Sequence, residues 1–117
     1  MAETLHGIAE MPTYIRVADK LLSAKERQEL IDYLAEHPEN RDVIEGTGGV
    51  RKLRWRRGEQ GKSSGVRVIY YFHSAFMPLY LLTLFAKGDK STLTKAECNE
   101  LAGLVDVLVN IWKGRKP

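Results

Sequence analysis

The hydrophobic positions in the first third of the chain predict a short strand followed by a helix. Residues 12–17 alternate weakly between apolar and polar side chains and include β-branched and aromatic residues, which indicates a short strand or an extended lead-in. Ser23 and Glu26 have the spacing of a capping box, in which serine caps the helix start and the glutamate reaches back. We therefore expect a helix that begins at Ser23 and is stopped by Pro38. Residues 39–44 are expected to add a short second turn of helix.

Three segments in the middle of the chain have the composition of β-strands. Residues 50–57 alternate between apolar and basic positions after a glycine-rich break, and residues 66–73 are rich in valine, isoleucine and tyrosine. The polar connector between these segments predicts an antiparallel hairpin with a long tip. Residues 79–87 are apolar on both faces in their middle, which predicts a central strand that is covered on both sides.

The C-terminal region predicts a second capped helix. Thr94 and Glu97 repeat the capping-box spacing, and the helix should end near Gly114. Its apolar stripe consists of Leu101, Leu104, Val105, Leu108, Ile111 and Trp112. The order of helix, strands and helix predicts an α+β fold with the helices packed on an antiparallel sheet. We expect one domain over residues 1–117.

Length and composition narrow the class of protein. The chain has 117 residues, of which 44% are hydrophobic and 28% are charged, a balance typical of one globular domain. Its longest apolar stretch, residues 75–86, is well short of the ~20 residues that cross a bilayer. Residues 1–12 lack the pattern of a secretory signal, so we expect a cytoplasmic protein. A single cysteine, Cys98, rules out an intramolecular disulfide and is interpreted as a packing residue.

The small net charge of +3 hides a strongly basic central segment. Residues 1–45 hold 5 Lys and Arg against 10 Asp and Glu, whereas residues 46–74 hold 7 against 1. The basic residues of this central segment are Arg51, Lys52, Arg54, Arg56, Arg57, Lys62 and Arg67. Such a concentration on predicted strands is typical of a surface that binds a polyanion. The alternative is a solvated sheet face that only confers solubility.

The residues that could carry chemistry favour a site that binds phosphate over a site that binds a metal ion. The chain has no phosphate-binding loop motif, no zinc-protease motif and no nucleophile elbow, and its three histidines are scattered. Acidic residues are nearly absent from the basic segment, so metal-dependent hydrolysis would lack ligands there. Lysine and arginine can instead stabilise the charge that builds up on a phosphate under attack. Aromatic side chains on these strands could stack on bases or belong to the core: Trp55, Tyr70, Tyr71 and Phe85.

Three runs of residues resemble the HigB-type branch of the RelE/ParE toxin superfamily. They are IEGTGGVRKLRW at residues 44–55, GVRVIYYF at residues 65–72 and LYLLTLFAKGDKSTL at residues 79–93. The resemblance extends over about residues 12–113. It implies the toxin of a bacterial type II toxin–antitoxin pair, with two N-terminal helices on a curved antiparallel sheet and one final helix.

The same resemblance implies an activity and a set of site residues. Toxins of this kind cut the mRNA codon in the ribosomal A site with the substrate's own 2′-OH, and they need no metal or cofactor. Arg67 would clamp the phosphate and Lys87 would bind phosphate or the leaving group, while Lys52 and Arg54 would hold the RNA backbone or supply acid and base. Gly88 stands where an arginine is expected and no tyrosine follows, which leaves proton transfer unassigned. Further RNA-binding candidates are Arg51, Arg56, Arg57, Lys62 and Lys90.

The implied partners are the ribosome, mRNA and a cognate antitoxin with a helix-turn-helix domain, with no role for a membrane. We expect the free toxin to be a monomer. Two other functions share this sequence pattern: a ParE-like toxin that poisons DNA gyrase without catalysis, and a noncatalytic RNA-binding module. The central basic cluster with Arg67 favours RNA cleavage.

Overall fold

Helices cover both faces of a single sheet in the computed structural model, which describes residues 7–39, 42–55, 65–74, 76–86 and 93–114. In this part of the chain the sheet has four strands and three helices pack on it. The elements in chain order are β1 (Ile8–Glu10), α1 (Pro12–Leu21), α2 (Ala24–Glu36), β2 (Arg51–Trp55), β3 (Val66–Tyr71), β4 (Leu79–Ala86) and α3 (Lys95–Lys113).

Both predicted capping boxes are present. The Ser23 hydroxyl accepts from the Glu26 amide at 3.1 Å, and the Glu26 carboxylate accepts from the Ser23 amide at 2.8 Å. Thr94 and Glu97 make the same pair of bonds at 3.1 and 2.8 Å. Each box satisfies two amides that have no partner within the helix, which is why α2 and α3 begin where the sequence predicts. None of the described helices combines the length and the apolar character that a membrane crossing needs.

The prediction of a strand at residues 12–17 is wrong. These residues belong to α1, where Pro12 occupies the first turn that tolerates a missing amide, and Tyr14 and Ala18 are buried one turn apart. The strand lies just before them at β1, which is held by pairing with β4. The predicted helical turn at residues 39–44 is also wrong where the structure describes it. Val43 instead forms an antiparallel bridge with Arg51.

The sheet has the order β1-β4-β3-β2. β2 pairs with β3 and β3 pairs with β4 in antiparallel fashion, which confirms the predicted hairpin and meander. β1 runs parallel to β4, so the sheet is mixed rather than antiparallel as predicted. The long stretch of chain between β1 and β4, which holds α1, α2, β2 and β3, allows these neighbours to be parallel, whereas a short hairpin would require an antiparallel pair. β4 is an inner strand, as its apolar pattern predicts.

Two cores lie on opposite faces of the sheet. The first lies under α1 and α2 and includes Tyr14, Leu30, Leu34, Leu53, Val68 and Leu81. The second lies under α3 and includes Val50, Ile69, Tyr71, Tyr80, Val105 and Leu108. Alternate residues of each strand therefore enter different cores, as the pleat requires.

A glycine-rich turn at residues 46–49 packs closely against α3. Thr47 is fully buried, and its hydroxyl donates to the Ile44 carbonyl at 2.6 Å and accepts from the Val50 amide at 3.0 Å. Gly48 and Gly49 have φ values of +78° and +117°, and a β-carbon on Gly48 would lie 3.7 Å from the side chain of Val105. Near the C-terminal end of α3, the Trp112 indole donates to the Tyr80 hydroxyl at 2.7 Å.

An ionic cluster joins the other two helices to the sheet. The Arg27 guanidinium on α2 donates to Asp19 on α1 and, at 3.4 Å, to Glu10 on β1. It also lies 6.0 Å from the ring centroid of Tyr14. Burial, with a smaller effect from the Glu10 carboxylate, raises the pKa of Tyr14 to about 12.

We expect Gly49→Ala to lower the free energy of unfolding by about 1–3 kcal/mol, because alanine is strained at this φ and its β-carbon would meet the Tyr71 ring at 3.1 Å. Gly103→Ala is the matched control, since open space surrounds this position on α3. It should raise stability by about 0.5–1 kcal/mol. Urea denaturation followed by circular dichroism checks both values. Equal effects of the two substitutions would contradict the role given to the glycine turn.

We expect the stability of the wild type to fall between pH 10 and pH 12 relative to Tyr14→Phe. The unfolded tyrosine loses its proton near its ordinary pKa of 10.0, whereas the folded one keeps it up to about 12. The free energy of unfolding should therefore decrease by about 1.4 kcal/mol per pH unit in this window and be unaffected below it. Urea denaturation of both proteins at a series of pH values measures the difference, and identical pH slopes would be evidence against it.

Candidate nucleic-acid interface

Lys52, Arg54 and Arg67 form a basic cluster on the sheet face that carries α3. Arg54 pairs directly with Arg67, which in turn pairs with Phe85 on β4. Two residues away from Arg54 on β2, Lys52 pairs with Ile69. Because Ile69 and Phe85 belong to the core under α3, the paired basic side chains project from the same face. The prediction of a basic strand face is confirmed for the described residues Lys52 and Arg54.

Arg67 is the buried member of this cluster. It lies on the inner strand β3 and is 8% exposed, whereas Arg54 is exposed on the edge strand β2. No carboxylate among the described residues lies within ion-pairing distance of Arg67. Burying a cation without an anion is unfavourable, and two like charges directly opposite each other on a sheet repel. A bound phosphate would relieve both effects.

Arg51 lies on the opposite face. It pairs with Tyr70, which belongs to the core under α1 and α2, and its guanidinium donates to the Glu39 carbonyl at 3.5 Å. The structure therefore does not bring Arg51 together with the basic cluster. The other predicted site residues lie outside the described part of the chain and stay predictions: Arg56, Arg57, Lys62, Lys87 and Lys90.

Only one of the four candidate aromatic residues accompanies the basic cluster. Tyr70 is fully buried in one core, and Tyr71 is 5% exposed in the other, where burial raises its pKa. Trp55 packs against Tyr33 on the face opposite the cluster, with ring centroids 5.4 Å apart. Phe85 pairs with Arg67, but it is only 8% exposed and belongs to the core under α3.

The described histidines and the cysteine lie apart from the cluster. His37 is exposed at the end of α2, and His73 lines a small cavity of about 70 Å³ next to Trp112. His6 is outside the described residues. Cys98 is a free, half-buried thiol in the first turn of α3. Within the described ranges no three His, Cys, Asp or Glu side chains are grouped so that they could hold a metal ion.

A cleft that the sequence did not indicate lies between the start of α1, β4 and the first half of α3. Its cavity volume is about 320 Å³, and its walls come from the first turn of α1, from β4 and from the first half of α3. Thr83 lines this cleft and pairs with Ile69, and Ile69 pairs with Lys52 on its other side. Glu97 and Glu100 lie at the α3 side. The α1 wall is far from the other two walls in the sequence, so no local pattern could have revealed the cleft.

Comparison with known proteins identifies the fold. No protein-family model matches the chain. Among solved structures it is similar to the E. coli toxin RelE, in a free-state variant with two arginines replaced by alanine. The TM-score is 0.56 at 15% sequence identity, over 83% of this chain and 97% of that chain. The chain therefore has a RelE-like α+β fold, which confirms the fold implied by the resemblance; at this identity the likeness concerns the fold alone.

We expect Arg67→Met to raise the free energy of unfolding by about 1 kcal/mol, because methionine fills similar space without an unpaired buried charge. The matched control, Arg54→Met at the exposed partner position, should change stability by less than about 0.5 kcal/mol. Thermal and urea denaturation of the three proteins measure the effect. A clear loss of stability in Arg67→Met would mean that the guanidinium holds the fold together.

Proposed function

We propose that this protein is the toxin of a type II toxin–antitoxin pair and that it inhibits translation as a ribosome-dependent mRNA endoribonuclease. The observation that carries the proposal is the buried Arg67, which has no carboxylate within ion-pairing distance among the described residues and lies between Arg54 and Phe85 on a RelE-like fold. The protein whose solved structure has a similar fold is a toxin. Toxins of this kind pair with an antitoxin, which supports an antitoxin partner for this protein. We propose that the antitoxin carries a helix-turn-helix domain.

Arg67 is proposed to stabilise the transition state. Its guanidinium can donate two parallel hydrogen bonds to the non-bridging oxygens of a phosphate. Because the stem is fixed on an inner strand, the charge is already in position when negative charge builds up on those oxygens. Partial burial strengthens this interaction relative to the same contact in water.

The proposed reaction breaks the RNA backbone by internal transfer. The 2′-oxygen of the substrate attacks the adjacent phosphorus, the bond from phosphorus to the 5′-oxygen breaks, and the products are a 2′,3′-cyclic phosphate and a 5′-hydroxyl. The proton of the 2′-OH goes to a base and the leaving 5′-oxygen takes up a proton. Lys52 and Arg54 are proposed to hold the backbone, with Lys52 also able to transfer a proton, whereas arginine stays charged.

A basic surface suits a site between mRNA and ribosomal RNA, since both present phosphates. We propose that the toxin acts as a monomer in the cytoplasm, where ribosomes translate, and that Lys87 and Lys90 add to the site beyond the described end of β4. The antitoxin is proposed to cover or distort the basic cluster.

We expect Arg67→Ala to reduce mRNA cleavage by at least about 100-fold while ribosome binding is retained. The measurement is primer extension on mRNA in a reconstituted translation mixture, with and without ribosomes. Arg16→Ala is the matched control, because Arg16 is exposed on α1 away from the cluster. It should leave cleavage unchanged.

Full cleavage by Arg67→Ala would remove this residue from the active site. A loss of cleavage proportional to a loss of ribosome binding would reduce it to a positioning role. If the wild type cuts no mRNA with ribosomes present, the proposed reaction is wrong, and a DNA supercoiling assay would then test gyrase as the target.

A further inference from the structure

Phe76 is the most exposed large apolar side chain in the described part of the protein, at 78%. It lines the small cavity of about 70 Å³ next to Trp112. A single exposed apolar side chain is ordinary, but apolar side chains grouped around an open cavity are typical of a surface where a partner binds. The name Phe76 patch is used below for five residues that line this cavity: His73, Phe76, Val109, Trp112 and Lys113.

Hydrogen bonds hold the walls of this cavity in place. The Ser74 hydroxyl accepts from the Phe76 amide at 3.2 Å, and the Ser74 carbonyl accepts from the Met77 amide at 3.3 Å. Within this tight turn Met77 is buried while Phe76 is exposed. On α3, the Trp112 indole is fixed by its hydrogen bond to Tyr80. Because these groups are already ordered, a ligand of the cavity loses less of its binding free energy to ordering them.

The volume of the cavity fits the end of one aliphatic side chain. A ring the size of benzene needs a cavity of roughly 150 Å³, whereas a water molecule takes up roughly 30 Å³. At about 70 Å³ the cavity is too small to enclose a nucleobase and is large enough for the branched end of a valine or leucine side chain. Met77, Val109 and Trp112 supply apolar surface for such a group. The cavity therefore favours a peptide over a nucleic acid.

The charged groups around the cavity are basic. Lys113 is exposed and makes no ion pair with any described residue, and His73 is exposed as well. None of the described carboxylates lines the cavity, and Asp106, the acidic residue that precedes Lys113 on α3, lies two helical turns away. In the sequence, Arg115 and Lys116 follow directly. Acidic residues on either side of an aliphatic anchor would therefore be attracted to this rim.

The Phe76 patch and the basic cluster lie at opposite ends of β3. Arg67 is near the start of this strand and Tyr71 ends it, which separates them by roughly 13 Å. His73 lies beyond Tyr71, with the two ring centroids 6.4 Å apart. A short segment bound at the patch would therefore leave Arg67 accessible.

We propose that the Phe76 patch binds an acidic segment of a partner protein. One aliphatic side chain of that segment enters the cavity, and its carboxylates lie beside Lys113. The inference does not depend on the proposed reaction, because the patch is separate from the basic cluster that the reaction uses.

Titration of capped pentapeptides into the isotope-labelled full chain, followed by NMR, tests this proposal. The probe has the sequence EELEE, and the controls EESEE and KKLKK lack the aliphatic anchor or the carboxylates. EELEE should shift the indole signal of Trp112 and bind about tenfold more tightly than either control. Trp55, the second tryptophan of the chain, packs on the opposite face of the sheet, so its indole signal should stay in place.

Four variants of the protein locate the binding site. Phe76→Ser and Lys113→Glu should each weaken the binding of EELEE by about fivefold, because the first removes an apolar wall and the second reverses the charge of the rim. Both residues are exposed, so both variants should fold. Val107→Ser and Lys95→Glu are the matched controls, since these residues are exposed on α3 and do not line the cavity. They should leave the affinity unchanged.

The outcomes separate this proposal from its alternatives. The absence of a shift at Trp112, or equal effects of each variant and its matched control, overturns the proposal. Shifts confined to Lys52 and Arg54 would mean that the peptide is attracted only to the basic cluster, which also overturns it. A tetranucleotide of deoxyuridine that shifts Trp112 as strongly as EELEE would assign the patch to nucleic acid instead.

The same measurements are independent of the proposed function. Binding of EELEE at Trp112 by a wild type that cuts no mRNA would support the patch and overturn the reaction. Cleavage of mRNA without this binding would support the reaction and overturn the patch. Phe76→Ser should cut mRNA as well as the wild type does, and a loss of cleavage would make the patch part of the surface that binds RNA or the ribosome and overturn the proposal.

Discussion

The register of β3 between its two neighbours is the constraint on which the rest of this molecule depends. All residues of β3 are buried, and alternate ones enter the cores on opposite faces of the sheet. A slip of one residue would move Arg67 under α1 and α2 and turn Val66 and Val68 toward α3. The apolar partners on β4 therefore hold the arginine on the face where Arg54 and Phe85 meet it.

Holding Arg67 on a buried strand costs the fold stability, and the same placement serves the proposed function. A strand with five uncharged residues and one arginine would pack better with an apolar residue in place of the arginine. The cation is held in place by its apolar neighbours, with no ion pair among the described residues, so its charge remains available to a ligand. Under the proposed function, a positioned charge of this kind needs little reorganisation when the phosphate becomes more negative.

The placement of α3 divides the same sheet face into a covered part and an open part. The buried Thr47, the close approach of Gly48 to Val105 and the hydrogen bond between Trp112 and Tyr80 hold the helix over one region of the face. The basic cluster lies on the part of this face that β2 and β3 form, and Thr83 and Glu100 line a cleft between β4 and α3. One helix thus completes a core and forms one wall of the cleft.

The sequence by itself determined the features that depend on neighbours a few residues apart. The capping boxes at Ser23 and Thr94 and the alternation that places Lys52 and Arg54 together are local, and each is present in the structure. Tertiary structure decided the rest. Pairing with the distant β4 makes β1 a strand, and burial of Tyr14 and Ala18 against the sheet makes residues 12–17 helical. The packing of α1 and α3 beside β4 created the cleft, because the free energy of burying apolar surface depends on contacts between segments that no local pattern contains.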